Sequence, residues 1–263
     1  MADPLVTLTT DFGNGSHYVA AAKGVMLALN PEVRILDLSH DIPAQDLRQA
    51  AFFLTATLPY FPPDTLHVVI VDPGVGSQRA ILYVELANLR LLAPDNGCWT
   101  WLLEGGRRRP RVIRVTENRF WRSRVSPTFH GRDIFAPVAA NLSLGLDPRE
   151  LGPIVSDWTR LDRPAPRNDA NGISGEVLFV DHFGNLITNI PGEALTKDDR
   201  LKRVRVGGVE VPRIVRTYSD AEPGTLVALV SSSEWLEVAV NQGSAARQLD
   251  ACSGTPVTID WPA

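Results

Sequence analysis

The chain has 263 residues, of which 44% are hydrophobic and 21% charged, and a formal net charge of −4. That length buries one large core or two smaller ones, and the slight acidic balance gives no electrostatic footprint for nucleic acid. No segment approaches the ~20 apolar residues of a membrane span; the Met1–Pro4 start has neither a basic region nor a long apolar one, which predicts a cytoplasmic protein without a signal peptide.

Leu5 to Thr9 reads as a first strand. Tyr18, Ala22, Val25, Met26 and Leu29 then recur at the spacing of an apolar helix stripe. Val33 to Leu38 predicts a second strand, Leu47 to Leu58 a second helix, Leu66 to Val71 a buried strand and Ile81 to Leu86 another. Such alternation argues for an α/β domain with a mainly parallel sheet and covering helices. Arg107-Arg108-Arg109, between Gly105-Gly106 and Pro110, reads as a solvated loop tip. Cys98 and Cys252 fit no paired-cysteine motif and read as two reduced, partly buried thiols.

After Gly152 the pattern changes. Pro153, Pro164 and Pro166, with Asp and Arg between them, mark a connection. The chain divides on this reading into an N-terminal domain (1–155), a linker (156–171) and a C-terminal domain (172–263). Val204 to Val211 is a hairpin turning at Gly207-Gly208. Thr225 to Val230, Trp235 to Val240 and Pro256 to Ile259 add strands, which fits a compact β-barrel or sandwich of about 90 residues.

Five polar clusters punctuate these elements. Asp11, in Thr9-Thr10-Asp11-Phe12-Gly13, either caps a turn or accepts hydrogen bonds from a ribose diol at the end of a strand. Asp72 and Arg79 flank a Pro-Gly-Val-Gly loop, where they either simply pair or form a rigid ligand site at a strand end. Pro94-Asp95-Asn96-Gly97 reads as a turn. In Ser126 to Asp133, Arg132 and Asp133 belong to a helix start, while His130-Gly131 offers an imidazole able to move protons beside a residue that permits close approach. Asp181-His182-Phe183-Gly184-Asn185 is a hairpin turn whose Asn also suits a purine edge. There is no phosphate-binding Gly-x-x-x-x-Gly-Lys, no Gly-x-Gly-x-x-Gly after a strand, no His-Glu-x-x-His and no Gly-x-Ser-x-Gly. The 5 scattered histidines form no convincing metal set.

Taken in order, several segments resemble the S-adenosylmethionine hydrolase family, the hydroxide adenosyltransferases related to fluorinase and chlorinase. They are Leu-Thr-Thr-Asp-Phe-Gly at 8–13, Asp-Leu-Ser-His at 37–40 and Val-Asp-Pro-Gly-Val-Gly-Ser-x-Arg at 71–79. Ala-Pro-Asp-Asn-Gly at 93–97, Thr-Phe-His-Gly-Arg-Asp at 128–133, Asp-His-Phe-Gly-Asn at 181–185 and Leu-Glu-Val-Ala-Val-Asn at 236–241 continue the series. The resemblance implies a Rossmann-like N-terminal domain, a C-terminal β-barrel, and a homotrimer with sites between the N-terminal domain of one subunit and the C-terminal domain of the next. It implies hydrolysis of S-adenosylmethionine to adenosine and methionine without a metal or organic cofactor; charge and hydropathy add the expectation of no nucleic-acid or membrane partner.

Asp72, Arg79 and His130 match the family's water-activating set. Fluorinases carry a Tyr where Asp72 stands and a Tyr-Ser pair where His130-Gly131 stand, which favours hydrolase over halogenase. The same resemblance gives Asp11 the ribose hydroxyls, Phe129 the neighbourhood of the reacting carbon, Asn185 the adenine edge and Asp181 the methionine ammonium. Ser232 and Ser233 lie where the family binds the methionine carboxylate, although Glu234-Trp235 follows here where Gly-Tyr is frequent. Glu237 is the only acid in an otherwise apolar strand, and either touches the nucleoside or satisfies backbone N–H groups. Two rivals remain: a 5′-halogenase on the same fold, and a non-catalytic protein that binds adenosine or S-adenosylmethionine.

Overall fold

The computed structural model describes residues 5–104, 109–196 and 202–261. The Met1–Pro4 start and Arg107-Arg108 lie outside these described residues. The chain forms two compact units, Met1–Leu161 and Asp162–Ala263. Among the described residues no helix is long and apolar enough to cross a membrane.

Unit 1 holds strands β1 (Leu5–Thr10), β2 (Arg34–Ser39), β3 (Leu66–Ile70), β4 (Ile81–Leu86), β5 (Leu89–Pro94), β6 (Arg111–Arg114) and β7 (Ile154–Val155), in the order β2-β1-β3-β5-β4-β6-β7. The β1–β2, β1–β3 and β3–β5 pairs are parallel, and the β5–β4, β4–β6 and β6–β7 pairs antiparallel. The sheet is therefore partly parallel, which corrects the mainly parallel expectation. The reason is local: Leu86 pairs with Leu89 across Ala87-Asn88, and a two-residue loop can join only antiparallel strands. Ala87 takes the left-handed conformation (φ 52°) that a tight hairpin demands.

Helices α1 (His17–Leu29), α2 (Leu47–Thr57) and α3 (Ala136–Ser143) cover this sheet. Strand side chains alternate between faces. Val6, Leu8, Val68 and Ile70 pack with Ala22 and Met26 of α1 and with residues of α3, while Val69 and Val71 pack with Leu54 of α2. Ser16 caps α1 through Tyr18 N (3.2 Å), and Asp46 caps α2 through Gln49 N (2.8 Å). The predicted α1 stripe is buried only at its centre, since Tyr18 and Leu29 are exposed.

Unit 2 is built on β8 (Arg167–Asn168), β9 (Gly172–Val180), β10 (Leu186–Pro191), β11 (Arg203–Val206), β12 (Val209–Val211), β13 (Arg213–Ile214), β14 (Leu226–Val230), β15 (Trp235–Val240) and β16 (Pro256–Asp260). Short helices α4 (Glu193–Thr196) and α5 (Ala245–Leu249) accompany them. The strand order is β12-β11-β16-β9-β10-β15-β14-β13, with β8 on β9. The two ends of this order, β12 and β13, are separated in sequence by Pro212 alone, so the sheet must curl until its edges meet. The result is nearly a barrel, filled by Val177, Leu186, Val204, Leu236, Val238 and Ile259. The predicted hairpin is present, with Gly207 and Gly208 at φ 55° and 86°. Both cysteines are free; Cys98 is buried, but Cys252 is exposed rather than partly buried.

Candidate active site

In open α/β sheets ligands gather outside the carboxyl ends of strands, where the direction of winding reverses. Here the chain winds from β1 outward to β2, then returns past β1 to β3. The reversal lies between β1 and β3, and Asp11 and Asp72 stand just beyond those two strands.

After Asp72 the chain closes two turns, Val75 N to Asp72 O (3.2 Å) and Ser77 N to Gly74 O (3.1 Å). Ser77 Oγ donates to Gly74 O (2.7 Å) and accepts from Arg79 N (3.2 Å), so the loop returns Arg79 to Asp72. Arg79 Nε donates to both carboxylate oxygens at 2.9 Å, and Nη2 to Asp72 Oδ2. The side chains of Asp72 and Arg79 are 5% and 10% exposed, so the pair is shielded from water. Gly76 (φ 79°) passes so close to the next loop that a Cβ there would lie 2.3 Å from Pro127 O.

His130 comes from that neighbouring loop. Its base is Asp133, fully buried, which accepts from Ser126 N (2.9 Å), Arg122 Nη1 (3.0 Å) and Arg132 Nε (2.7 Å). Arg132, foremost, holds the Asp133 carboxyl down to about 2. Residues Gly131–Phe135 form a π-helical turn before α3, a distortion that recurs at functional sites. Asp133 thus stands at the helix start as expected and acts there as an internal anchor. Arg79 Nη2 lies 2.9 Å from His130 Nδ1, so one guanidinium bridges the carboxylate and the imidazole. Burial, then the Arg79 charge, lower the His130 pKa, against smaller opposing effects of Asp72 and Asp133.

A cavity of about 170 Å³ opens at this point, lined among others by Asp11, Asp72, Phe129, His130, Phe12 and Tyr18. Tyr18 sits 4.8 Å from Phe129 and 5.6 Å from Phe12 between ring centroids, and the Arg132 guanidinium lies 4.8 Å from the Phe129 ring centre. Sequence reasoning missed Tyr18 as a site residue. Its signal was an aromatic in the first turn of a helix that starts from the Asp11 loop. Asp11 Oδ2 accepts from Gln45 N (2.9 Å).

The remaining candidates lie in unit 2. Asp181 Oδ1 accepts from Phe183 N (2.9 Å) and Asn185 N (2.8 Å), and Oδ2 from Asn185 Nδ2 (2.9 Å), so this carboxylate organises its own turn. Glu237 is buried in β15, pairs in register with Ile187 and accepts from Tyr218 OH (2.7 Å). Burial raises its pKa, with Tyr218 opposing and Asp181 adding to the rise. Tyr218 was another residue the sequence reading passed over. Ser232 and Ser233 sit in the β14–β15 turn, which leads into Trp235, the partner of Pro191 at the far end of β10 from Asn185. Among the described residues no three His, Cys, Asp or Glu converge as metal ligands do.

Residues 6–152 match the SAM hydroxide adenosyltransferase N-terminal domain, and residues 175–258 the C-terminal domain of the same family. A protein of Salinispora tropica named (R)-S-adenosyl-L-methionine hydrolase is 40% identical, with 97% of each chain covered. A fluorinase of an Actinoplanes species is 26% identical over 98% of this chain and 97% of its own. The crystal structure of an uncharacterized conserved protein from Thermotoga maritima superposes with a TM-score of 0.90 at 35% identity, covering 97% of this chain and 100% of that one. Both halves of the molecule thus carry the same family's signature, and the chain belongs to the SAM hydroxide adenosyltransferase family.

Proposed function

We propose that this chain hydrolyses S-adenosyl-L-methionine to adenosine and L-methionine, through attack of a water-derived oxygen on C5′. The observation that carries this reading is the Arg79 bridge between Asp72 and His130 at a cavity that Asp11 and Phe129 also line. The names of relatives at 38–40% identity support it.

The sulfonium makes methionine a neutral leaving group, so the reaction needs an oxygen held in line with the C5′–S bond. The new C5′–O bond takes its electron pair from that oxygen, the broken bond leaves its pair on sulfur, and one proton is released to water. Arg79 can only donate at Nη2, so His130 Nδ1 presents its lone pair there and the ring hydrogen resides on Nε2. An Nε2–H and a nearby guanidinium both favour negative character on the attacking oxygen. Asp72 cancels the guanidinium's charge, which would otherwise repel the sulfonium.

The cavity is smaller than the ~300–1,000 Å³ of pockets that enclose ligands of this size. Further side chains are then needed to complete the site, and the family resemblance supplies them through a homotrimer, in which a neighbouring subunit presents Asp181, Asn185, Glu237, Ser232 and Ser233 to the adenine and methionine ends. Unit 1 is read as Rossmann-like on its β2-β1-β3 winding.

The test is incubation with S-adenosylmethionine in oxygen-18 water, with stoichiometric enzyme and mass analysis of products. Adenosine labelled in its 5′-hydroxyl is the expected outcome, with loss of label incorporation in Asp72→Ala, Arg79→Ala and His130→Ala. Halide-dependent 5′-halo-5′-deoxyadenosine would point instead to a halogenase, and intact substrate beside tightly bound adenosine to a binding protein.

A further inference from the structure

We propose that His40 is a positioning residue, holding the Asp11 carboxylate in place for the ribose hydroxyls; this rests on the hydrolase reading of the site. His40 follows β2 and is buried. Its Nδ1 is 2.9 Å from Thr10 Oγ1, which also accepts from Phe12 N (3.2 Å). Its carbonyl accepts from Gly13 N at 2.7 Å. One residue therefore holds the chain immediately before Asp11 and again two positions after it.

The approach depends on an irregular register. Leu8 pairs with Asp37 but Thr9 with Ser39, so β2 skips Leu38 and brings His40 beside Thr10. The far side of the ring is braced too: Nε2 stands 3.0 Å from Asp37 Oδ1, poorly aligned as a hydrogen bond, and Lys23 of α1 meets Asp37 Oδ2. The segment after His40 completes the grip. Asp41 Oδ1 accepts from Asn14 N (3.1 Å), and Gln45, in the left-handed region (φ 67°), donates its N–H to Asp11 Oδ2. Asp11 Oδ1 accepts no hydrogen bond among the described residues and is left for a ligand hydroxyl.

Carboxylate, imidazole and hydroxyl in this order are the parts of a nucleophilic triad. Thr10, however, is 2% exposed, does not line the cavity and is engaged by Phe12 N. The chain of contacts orients the loop; it does not attack substrate.

Two variants separate the two sides of the ring. In His40→Asn the amide can replace Nδ1 toward Thr10; in His40→Gln it reaches the Nε2 side and abandons Thr10. Steady-state kinetics are measured with S-adenosylmethionine and with its 2′-deoxyribose counterpart. Wild type should prefer the ribose substrate by ~100-fold or more, because the missing hydroxyl leaves Asp11 Oδ1 unpaired once the bound nucleoside has covered it. His40→Gln should raise KM for the ribose substrate ~10-fold and shrink that preference at least as much, while His40→Asn keeps most of it. Thr10→Val, of similar volume, should reproduce the His40→Gln loss and carries the test if that variant does not fold. A wild-type preference retained in both His40→Gln and Thr10→Val overturns the inference. A wild type that treats both substrates alike overturns the Asp11 reading, and the inference with it.

Discussion

The nitrogen that Arg79 occupies decides what His130 can do. With Nδ1 accepting from a guanidinium, protonation of the ring sets an N–H against an N–H and breaks the bridge. Burial and the Arg79 charge already lower the His130 pKa below its ordinary 6.5, so the working ring is neutral at neutral pH. A profile of kcat/KM against pH should be flat above ~6.5 and fall on an acid limb centred below that value; activity that rises on acidification would contradict the assignment. Asp72→Asn tests the other side of the bridge. It leaves a largely buried guanidinium without its counter-charge, which should cost about 3 kcal/mol of stability and ~100-fold or more in kcat, read by denaturant titration and by turnover. These residues were legible because each sits in a short motif at an element boundary, Asp72 and Arg79 in the loop between β3 and β4 and His130 just before a helix start. Tyr18 was not, because an aromatic at helical spacing reads as core, and only the fold turns it toward the cavity.

At the scale of elements, the site is set by two loops that touch. Gly76 has a positive φ and no room for a Cβ beside Pro127 O. Gly76→Ala must therefore strain the backbone, at about 1 kcal/mol or more, and push the Asp72–Arg79 loop away from the His130 loop. The expected outcome is a loss of ~10-fold or more in kcat with a drop in Tm of only a few degrees, since a 1 Å misplacement can cost 10²-fold while the helices and sheet are untouched. A variant with wild-type turnover would show that the contact does not set the site. Strand positions were readable from β-branched runs, and Ile81–Leu86 and Trp235–Val240 have the observed bounds. Strand direction was not readable. Leu86-Ala87-Asn88-Leu89 lacks the glycine that usually announces a two-residue hairpin, so antiparallel β5 was hidden. The π-helical turn at Gly131–Phe135 was equally silent, because its extra residue per turn leaves no periodic trace in five positions.

At the scale of the whole molecule, the two units have separate cores and opposite titrating groups. In unit 1, His67 is buried in β3 with Nδ1 2.8 Å from Thr7 Oγ1, and burial pushes its pKa down to about 4 from 6.5. An unfolded chain takes up that proton first, so unit 1 is fully stable above ~6.5 and loses about 3 kcal/mol as pH falls to about 4. Asp133 adds almost nothing in this window, because its carboxyl is ionised in both the folded and the unfolded chain until the pH nears 3.8. In unit 2 the sign reverses. Glu237 has a raised pKa, so the folded state binds a proton more readily than the unfolded one, and acidification through that raised value relieves the cost of the buried charge. Calorimetry of the full chain between pH 7.5 and 4.5 should show one transition falling by roughly 5–10 °C while another holds or rises. His67→Asn, which keeps an acceptor for Thr7 but cannot titrate, should reduce the first slope to the part His130 contributes and leave the second unchanged. Glu237→Gln, which keeps an acceptor for Tyr218, should flatten the second only. Two transitions that fall together by equal amounts, unchanged in both variants, would mean that neither group sets the acid response of its unit.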